Sequence, residues 1–176
     1  MLELLVLYTL NTFEKTGYSI KKEITKKFGT FIQPSSGALH PLLKKLVQKK
    51  IIDEKKVLTD GGKKLSYFYL NKDSLKHFSK LFIKPLSINP SVCVDEIYSK
   101  LAVFKMANKD EQNDFLDNAI ENLKMFIVDA KNTLEDEYMK FDFYQKTLTK
   151  YQIGMFENLL KHVERFKNFG DECNNK

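Results

Sequence analysis

The 176-residue chain has no tryptophan, one arginine, two cysteines and three histidines. Cys93 and Cys173 are too few and too far apart for a disulfide framework, and the histidines show no metal-ligand spacing. We therefore expect no metal site and no cofactor. No apolar run approaches the roughly 18 residues that cross a bilayer, and residues 1–10 lack the marks of a signal peptide. The expected location is the cytoplasm, without a membrane partner.

Catalytic motifs are also missing. The sequence contains no glycine-rich phosphate loop, no nucleophile elbow, no metal-binding histidine pair and no acidic dyad at a useful spacing. The densest acidic run, residues 135–137, has no neighbouring histidine or cysteine and fits a solvated helix end. These absences argue against an enzyme.

Positive charge is concentrated in the N-terminal part of the chain. Residues 1–72 contain 14 lysines and 6 acidic residues, a net charge of +8, whereas the remainder has a net charge of −2. This localised positive field favours a polyphosphate partner but does not separate DNA from RNA or an anionic membrane. Because the single arginine is Arg165, base reading falls to lysine, to polar uncharged side chains and to van der Waals contacts.

Residues 33–50 predict a helix that can lie against a polyanion. Pro34 precedes Ser35 and Ser36, and a serine hydroxyl can accept a hydrogen bond from a free amide of the first helical turn. Apolar residues at helical spacing form a face to bury, while lysines remain in water. The apolar face consists of Leu39, Leu42, Leu43, Leu46 and Val47, and the lysines are Lys44, Lys45, Lys49 and Lys50.

Neighbouring segments complete a DNA-binding architecture. A short apolar helix over residues 2–10 and an amphipathic helix over residues 17–28 come before this third helix. Strands over residues 51–58 and 63–70 follow it, separated by the turn Asp60-Gly61-Gly62. This order predicts a winged helix-turn-helix with a two-stranded wing, whose third helix enters the major groove of double-stranded DNA.

A set of polar and basic residues at the start of the third helix and on the wing is predicted to contact DNA. The alternative is structural: the serines only cap the helix, His40 is a surface residue, and the wing lysines prevent sheet aggregation. The predicted contact residues are Tyr18, Gln33, Ser35, Ser36, Ala38, His40, Lys44, Lys45, Lys55, Lys56, Lys63 and Lys64.

The C-terminal half is predicted to be helical throughout. Two prolines within residues 83–91 mark a boundary, so we expect a DNA-binding domain over residues 1–82 and a helical domain over residues 83–176. The predicted helices of this region and of the segment just before it cover residues 72–81, 92–107, 109–140 and 143–169.

The two last helices carry more apolar surface than one pair of helices can bury. The helix over residues 109–140 has the alternating four- and three-residue steps of a coiled-coil seam, and the last helix has a broad apolar stripe. Association as a homodimer would bury this surface, and a monomeric three-helix bundle is the alternative. The predicted dimerisation residues are Leu116, Ile120, Leu123, Ile127, Leu134, Leu148, Tyr151, Met155 and Leu159.

Residues 4–10, the run Gly17-Tyr18-Ser19-Ile20 and the run SSGALHPLLKKL at 35–46 resemble the PadR-like transcriptional regulators. Their motif runs small-x-Gly-small-Leu/Ile-Tyr-Pro-x-Leu-x-Arg/Lys-Leu, and His40 stands where the family usually has tyrosine. The resemblance covers residues 1 to about 70 strongly and the helical remainder in outline.

The function expected of the chain is that of a homodimeric, sequence-specific DNA-binding repressor, whose operator is a pseudo-palindrome because the dimer axis relates the two DNA-binding domains. The resemblance implies regulation by a small molecule or a stress signal. Some relatives bind flat ligands through tryptophans. This chain has no tryptophan, so that mode of binding is not expected here. The alternative function is a winged-helix module that binds protein and uses no DNA.

Overall fold

The computed structural model describes residues 1–58, 61–62 and 64–172, and the side chains up to residue 168. The predicted turn residue Asp60, the predicted DNA contact Lys63 and Cys173 lie outside the described residues. The chain forms two compact units. The first unit comprises Met1–Lys84 and Val94–Asn108, and the second comprises Pro85–Cys93 and Lys109–Lys176.

The first unit has a helical core with a small sheet. Helix α1 is apolar on nearly all sides, which suits a helix in the centre of a domain, and its residues Leu5, Val6 and Leu7 are fully buried. The second and fourth helices of this unit and the third strand pack against it. The elements of this part are α1 (Leu2–Leu10), β1 (Lys15–Thr16), α2 (Gly17–Phe28), α3 (Ser36–Gln48), β2 (Ile52–Leu58), β3 (Lys64–Leu70) and α4 (Ser74–Phe82).

The sheet contains the predicted hairpin and one further strand. Strands β2 and β3 pair antiparallel, with Ile52 opposite Leu70, and Gly62 in their turn has a left-handed φ of 74°. Glycine adopts this φ without steric cost. The short strand β1 pairs with the other edge of β3, so the order is β1-β3-β2. The sheet therefore has three described strands where the sequence predicted a two-stranded wing.

Helix boundaries in the C-terminal half differ from the prediction by a few residues. Helix α5 (Pro90–Ala102) starts earlier than predicted because Asn89 Oδ1 accepts a hydrogen bond from Val92 N at 3.3 Å. It also ends earlier and is followed by a 3₁₀ turn, Phe104–Met106. Helix α6 (Lys109–Glu135) stops five residues before the predicted end. There the side chain of Asp136 accepts from Tyr138 N at 2.9 Å and turns the chain.

Helices α6 and α7 (Phe143–Glu172) form an antiparallel hairpin. A reciprocal capping box begins α7, since Asp142 Oδ1 accepts from Gln145 N at 2.8 Å and Gln145 Oε1 accepts from Asp142 N at 3.0 Å. The pairs Lys131–Glu157 at 2.7 Å and Lys124–Glu164 at 3.6 Å fix the register.

The predicted fold class, mainly helical with an N-terminal winged helix-turn-helix, is confirmed. None of the described helices has the length and apolar character that crossing a membrane requires.

Candidate nucleic-acid interface

A close contact between α2 and α3 positions α3 in the winged-helix part of the first unit. We call this part, from α1 to α4, the head. Thr16 caps α2, because its Oγ1 accepts a hydrogen bond from Ser19 N at 3.2 Å. A Cβ atom at Gly17 would lie 3.3 Å from His40 Cε1 and 3.4 Å from Leu43 Cδ1. The missing side chain at this position therefore lets the two helices approach each other.

The start of α3 is capped as the sequence predicts. Ser35 Oγ accepts a hydrogen bond from Ala38 N at 3.1 Å, and Lys21 Nζ of α2 donates to Ser36 Oγ at 3.0 Å. Ser36, Ala38 and His40 are all exposed. The short side chains of Ser36 and Ala38 leave the backbone of the first turn accessible, which suits the end of a recognition helix that faces base edges.

Two further predicted contact residues have different surroundings. Tyr18 is 74% exposed at the first turn of α2. Gln33 is also exposed, but its Nε2 donates to Gly29 O at 3.2 Å, so this donor is engaged within the chain. Tyr18 is thus free to meet a ligand, whereas Gln33 would have to exchange a hydrogen bond to do so.

A groove of about 480 Å³ separates α3 from the wing. His40 and Lys44 lie on its helix side with Gln48, at four-residue steps that place the three side chains on one face. Gln48 was not among the contact residues predicted from the sequence, although its position eight residues after His40 and four after Lys44 could have identified it. Residues on the wing side of the groove include Glu54, Lys64 and Ser66.

The wing lysines divide between two faces of the sheet. Lys56 lies opposite Ser66, and Lys64 is an even number of residues along β3 from Ser66, so all three side chains are on the groove side. Lys55 lies opposite Tyr67 and projects from the other face. The structure therefore brings Lys56 and Lys64 to the same side as α3 and does not bring Lys55 there.

The predicted lysines of α3 and the wing are solvent-exposed. None of Lys44, Lys45, Lys55, Lys56 and Lys64 forms an ion pair with another described residue. Exposed, unneutralised lysines retain their positive field in solution, and this is the property that attraction to phosphates requires.

A second groove, of about 590 Å³, lies between α2 and α3. Lys21, Lys22 and Lys26 line it together with Tyr18. The helical period of the sequence already places these lysines on the outer face of α2, a pattern that fits either contact with phosphates or a solvated face. The groove extends the basic surface across both helices.

One basic cluster of the head is neutralised internally. Lys15 is 4% exposed, donates to Thr12 Oγ1 at 2.9 Å and lies 3.4 Å from Glu23 Oε2. Burial opposes the charge on Glu23, but the hydrogen bond from Lys27 and the charges of Lys15 and Lys27 outweigh it and hold the pKa of this carboxyl below its ordinary value. The same hydrogen bond raises the pKa of Lys27. This cluster holds α2 in place and adds little to the outward field.

The predicted dimerisation residues fall into two groups. Those on α6 point into the hairpin of a single chain: Leu116 and Leu123 are at most 2% exposed, and Ile127 is 8% exposed. Leu159 of α7 joins them at 8%, while Ile120 and Leu134 are intermediate. The other group forms an outward stripe on α7, with exposures of 59% for Leu148, 65% for Tyr151 and 47% for Met155.

The described residues contain no group of three or more histidine, cysteine, aspartate or glutamate side chains placed to hold a metal ion.

A family model matches most of the head. Residues 6–76 match the model of the "Transcriptional regulator PadR-like family". This match confirms the predicted resemblance for the segment that it covers, which includes α2, α3 and the wing. No curated protein matches the chain.

Solved structures of low sequence identity also resemble the chain. Bacillus subtilis PadR in complex with operator DNA is 18% identical, with 94% of this chain and 96% of that chain covered and a TM-score of 0.47. The protein smu.1604c from Streptococcus mutans UA159 is 18% identical, with 94% and 98% covered and a TM-score of 0.43. A PadR-like regulator from Bacillus cereus is 26% identical, with 45% and 75% covered and a TM-score of 0.38.

Proposed function

We propose, from the premise that residues 6–76 form a PadR-like winged-helix segment, that this chain is a sequence-specific DNA-binding transcriptional regulator. In this proposal α3 enters the major groove, with Ser36, Ala38 and His40 nearest the bases. Lys44 and Lys45 contact phosphates beside it, and the wing contacts the adjoining groove. Ser35 remains the helix cap.

The observation that carries the proposal is the set of exposed lysines on α3 and on the groove face of the wing. Lys44, Lys56 and Lys64 belong to three different elements but border one surface, and Lys45 is exposed next to Lys44 on α3. None of the four has a described acidic partner. A surface for a neutral protein partner would gain nothing from four unpaired charges. A polyanion gains counterion release at each of them.

The test compares two variants with the same loss of charge. The first replaces Lys44, Lys45, Lys56 and Lys64 by alanine. The second replaces four exposed lysines on and beside α4: Lys72, Lys76, Lys80 and Lys84. We expect the first variant to lose binding to mixed-sequence duplex DNA and the second to keep most of it. Equal losses would mean that net charge alone governs binding, and unchanged binding by the first variant would mean that another surface holds the DNA. Absence of binding by the parent chain would favour a protein-binding module.

We further propose that the chain acts as a homodimer through the α7 stripe. The described stripe includes Tyr144 at 80% exposure beside Leu148 and Tyr151, and several large apolar side chains in a row on one helix face mark an interaction surface. A two-fold pairing of α7 with its copy would bury the stripe, while Leu116, Leu123 and Ile127 of α6 pack inside the hairpin of each chain.

Sedimentation analysis of the 20.6 kDa chain tests this assembly. Leu148→Asp should yield monomers, because each carboxylate would be buried in the interface without a partner. Lys161→Asp, an exposed position of α7 outside the stripe, should leave the dimer intact. A parent chain that sediments as a monomer at micromolar concentration would refute the assembly.

Repression, a pseudo-palindromic operator and release by a small molecule or stress signal complete the proposal. They follow from the family resemblance and from two-fold symmetry, since a symmetric dimer presents two identical heads. Selection of bound fragments from random DNA by the purified protein would show whether the preferred sites are inverted repeats with half-sites about 10 base pairs, or a multiple of that, apart.

A further inference from the structure

The recognition helix ends in a strained turn that leads directly into the wing. Lys50 has a φ of 56°, in the left-handed region where a side chain is disfavoured and glycine is usual. Its N–H donates to Val47 O at 2.9 Å, and Ile51 N–H donates to Leu46 O at 2.9 Å. This is the Schellman pattern of helix termination, with a lysine at the position that normally carries glycine.

The side chain of Asn71, the residue after β3, holds this turn. Its Nδ2 donates to Lys50 O at 3.1 Å and lies 3.3 Å from Asp53 Oδ1, which belongs to the first residues of β2. Its Oδ1 accepts from Asp73 N at 3.0 Å. One amide thus connects the end of α3, the base of both wing strands and the segment that leads to α4.

Ser74 completes the connection. The side chain is fully buried, its hydroxyl donates to Ile51 O, and it accepts from Asn71 N at 2.8 Å. The buried Ser74 hydroxyl is held in a fixed position, because a displacement would leave Ile51 O and Asn71 N–H without their partner. We call Lys50, Asn71 and Ser74 the wing support.

We propose that Asn71 is a positioning residue that sets the direction of the wing relative to α3, so that Lys56 and Lys64 reach DNA while α3 occupies the major groove. This inference rests on the proposed DNA-binding function. The wing strands have seven residues each and span about 20 Å at about 3.4 Å per residue, so a rotation of about 10° at the base moves the tip by about 3.5 Å. Such a shift is comparable to the reach of a lysine–phosphate contact.

The test uses the full-length protein and a labelled mixed-sequence duplex of about 40 base pairs, about four helical turns. Affinity is measured across a salt series for the parent, Asn71→Ala, Lys56→Ala/Lys64→Ala and the triple variant. Loss of two lysine–phosphate contacts per chain, four in a dimer with two bound heads, reduces the magnitude of the slope of log affinity against log salt by about 3.6. We expect Asn71→Ala alone to lower the slope in the same direction, and the two wing substitutions to remove clearly less from the Asn71→Ala background than from the parent.

Controls separate positioning from folding. Asn11→Ala replaces an exposed asparagine of the same unit and should leave the slope unchanged. If Asn71→Ala does not fold, Asn71→Ser replaces it: a serine hydroxyl can still accept from Asp73 N but is too short to reach Lys50 O, and we expect the same loss of slope.

The outcomes are distinct. A folded Asn71 variant with the parent's slope, or wing substitutions that are fully additive with it, would overturn the positioning role even if thermal stability falls. If the parent itself binds no duplex at low salt, the proposed function fails first, and with it this inference.

Discussion

Two neighbouring lysines of the wing provide a sharp test of the interface. Lys56 is on the groove face of β2 and Lys55 on the opposite face, and both are exposed. Replacing either by alanine removes one charge from the same strand, so their effects on net charge, on wing stability and on long-range attraction are matched. A difference between them reports direct contact.

The magnitude follows from counterion release. Each lysine–phosphate contact contributes about 0.9 to the slope of log affinity against log salt, which at about 0.15 M salt is a factor of about five in affinity. A dimer with two bound heads loses two contacts, so Lys56→Ala should lower the slope by about 1.8 and the affinity about 30-fold. Lys55→Ala should change the affinity only slightly.

Fluorescence anisotropy titrations of a mixed-sequence duplex over a salt series measure both quantities. The parent chain and Lys76→Ala, which removes an exposed charge from α4, set the baseline. A slope change for Lys55→Ala as large as that for Lys56→Ala would refute the assignment of the groove face to DNA.

Three further predictions concern stability. Ser35→Ala removes the hydroxyl that accepts from Ala38 N and should cost about 1 kcal/mol of unfolding free energy in urea titrations. Leu123→Ala opens a cavity at a fully buried site of α6 and should cost about 3 kcal/mol by the same assay. The lowered pKa of Glu23 means that its ion pair with Lys27 stabilises the fold above the ordinary carboxyl value of 4.5, and that this contribution disappears as the pH falls through the lower folded pKa. Glu23→Gln should therefore be less stable than the parent near neutral pH, and the difference should vanish in acid.

The order of elements in the head could be predicted because each element has a local signal. Ser35 caps the third helix, the glycines at 61 and 62 mark the hairpin turn, and apolar residues at helical spacing define the buried faces. The third strand could not be predicted. Lys15 and Thr16 form a strand because β3 has an unpaired edge nearby, and such a contact between distant segments leaves no periodic pattern in two residues.

The residue types of the candidate interface could be predicted from the sequence, but the faces on which these residues lie could not. The period of two along a strand assigns Lys55 and Lys56 to opposite faces, but only the pairing with β3 shows which face α3 borders. The heptad pattern of α6 likewise predicted that a partner helix exists. It could not specify that α7 of the same chain is that partner, because a seam of leucine and isoleucine is equally satisfied by either source.

Because the chain has a single arginine, the wing support and the α7 stripe are important for discrimination between DNA sites in the proposed function. Lysine contacts to phosphate supply affinity but no sequence information, and the short side chains at the start of α3 offer few bidentate hydrogen bonds to bases. In the proposed homodimer, discrimination between sites then comes largely from geometry: the angle at which the wing meets its groove and the spacing of two heads across the dimer axis. We therefore expect changes in the spacing between half-sites to reduce binding more than single base substitutions within a half-site.

Inserting about five base pairs, half a helical turn, at the centre of a selected operator would rotate one half-site to the opposite face of the duplex and should abolish simultaneous binding by both heads. Unchanged affinity for such an operator would show that the two heads bind independently and that discrimination resides in each head alone.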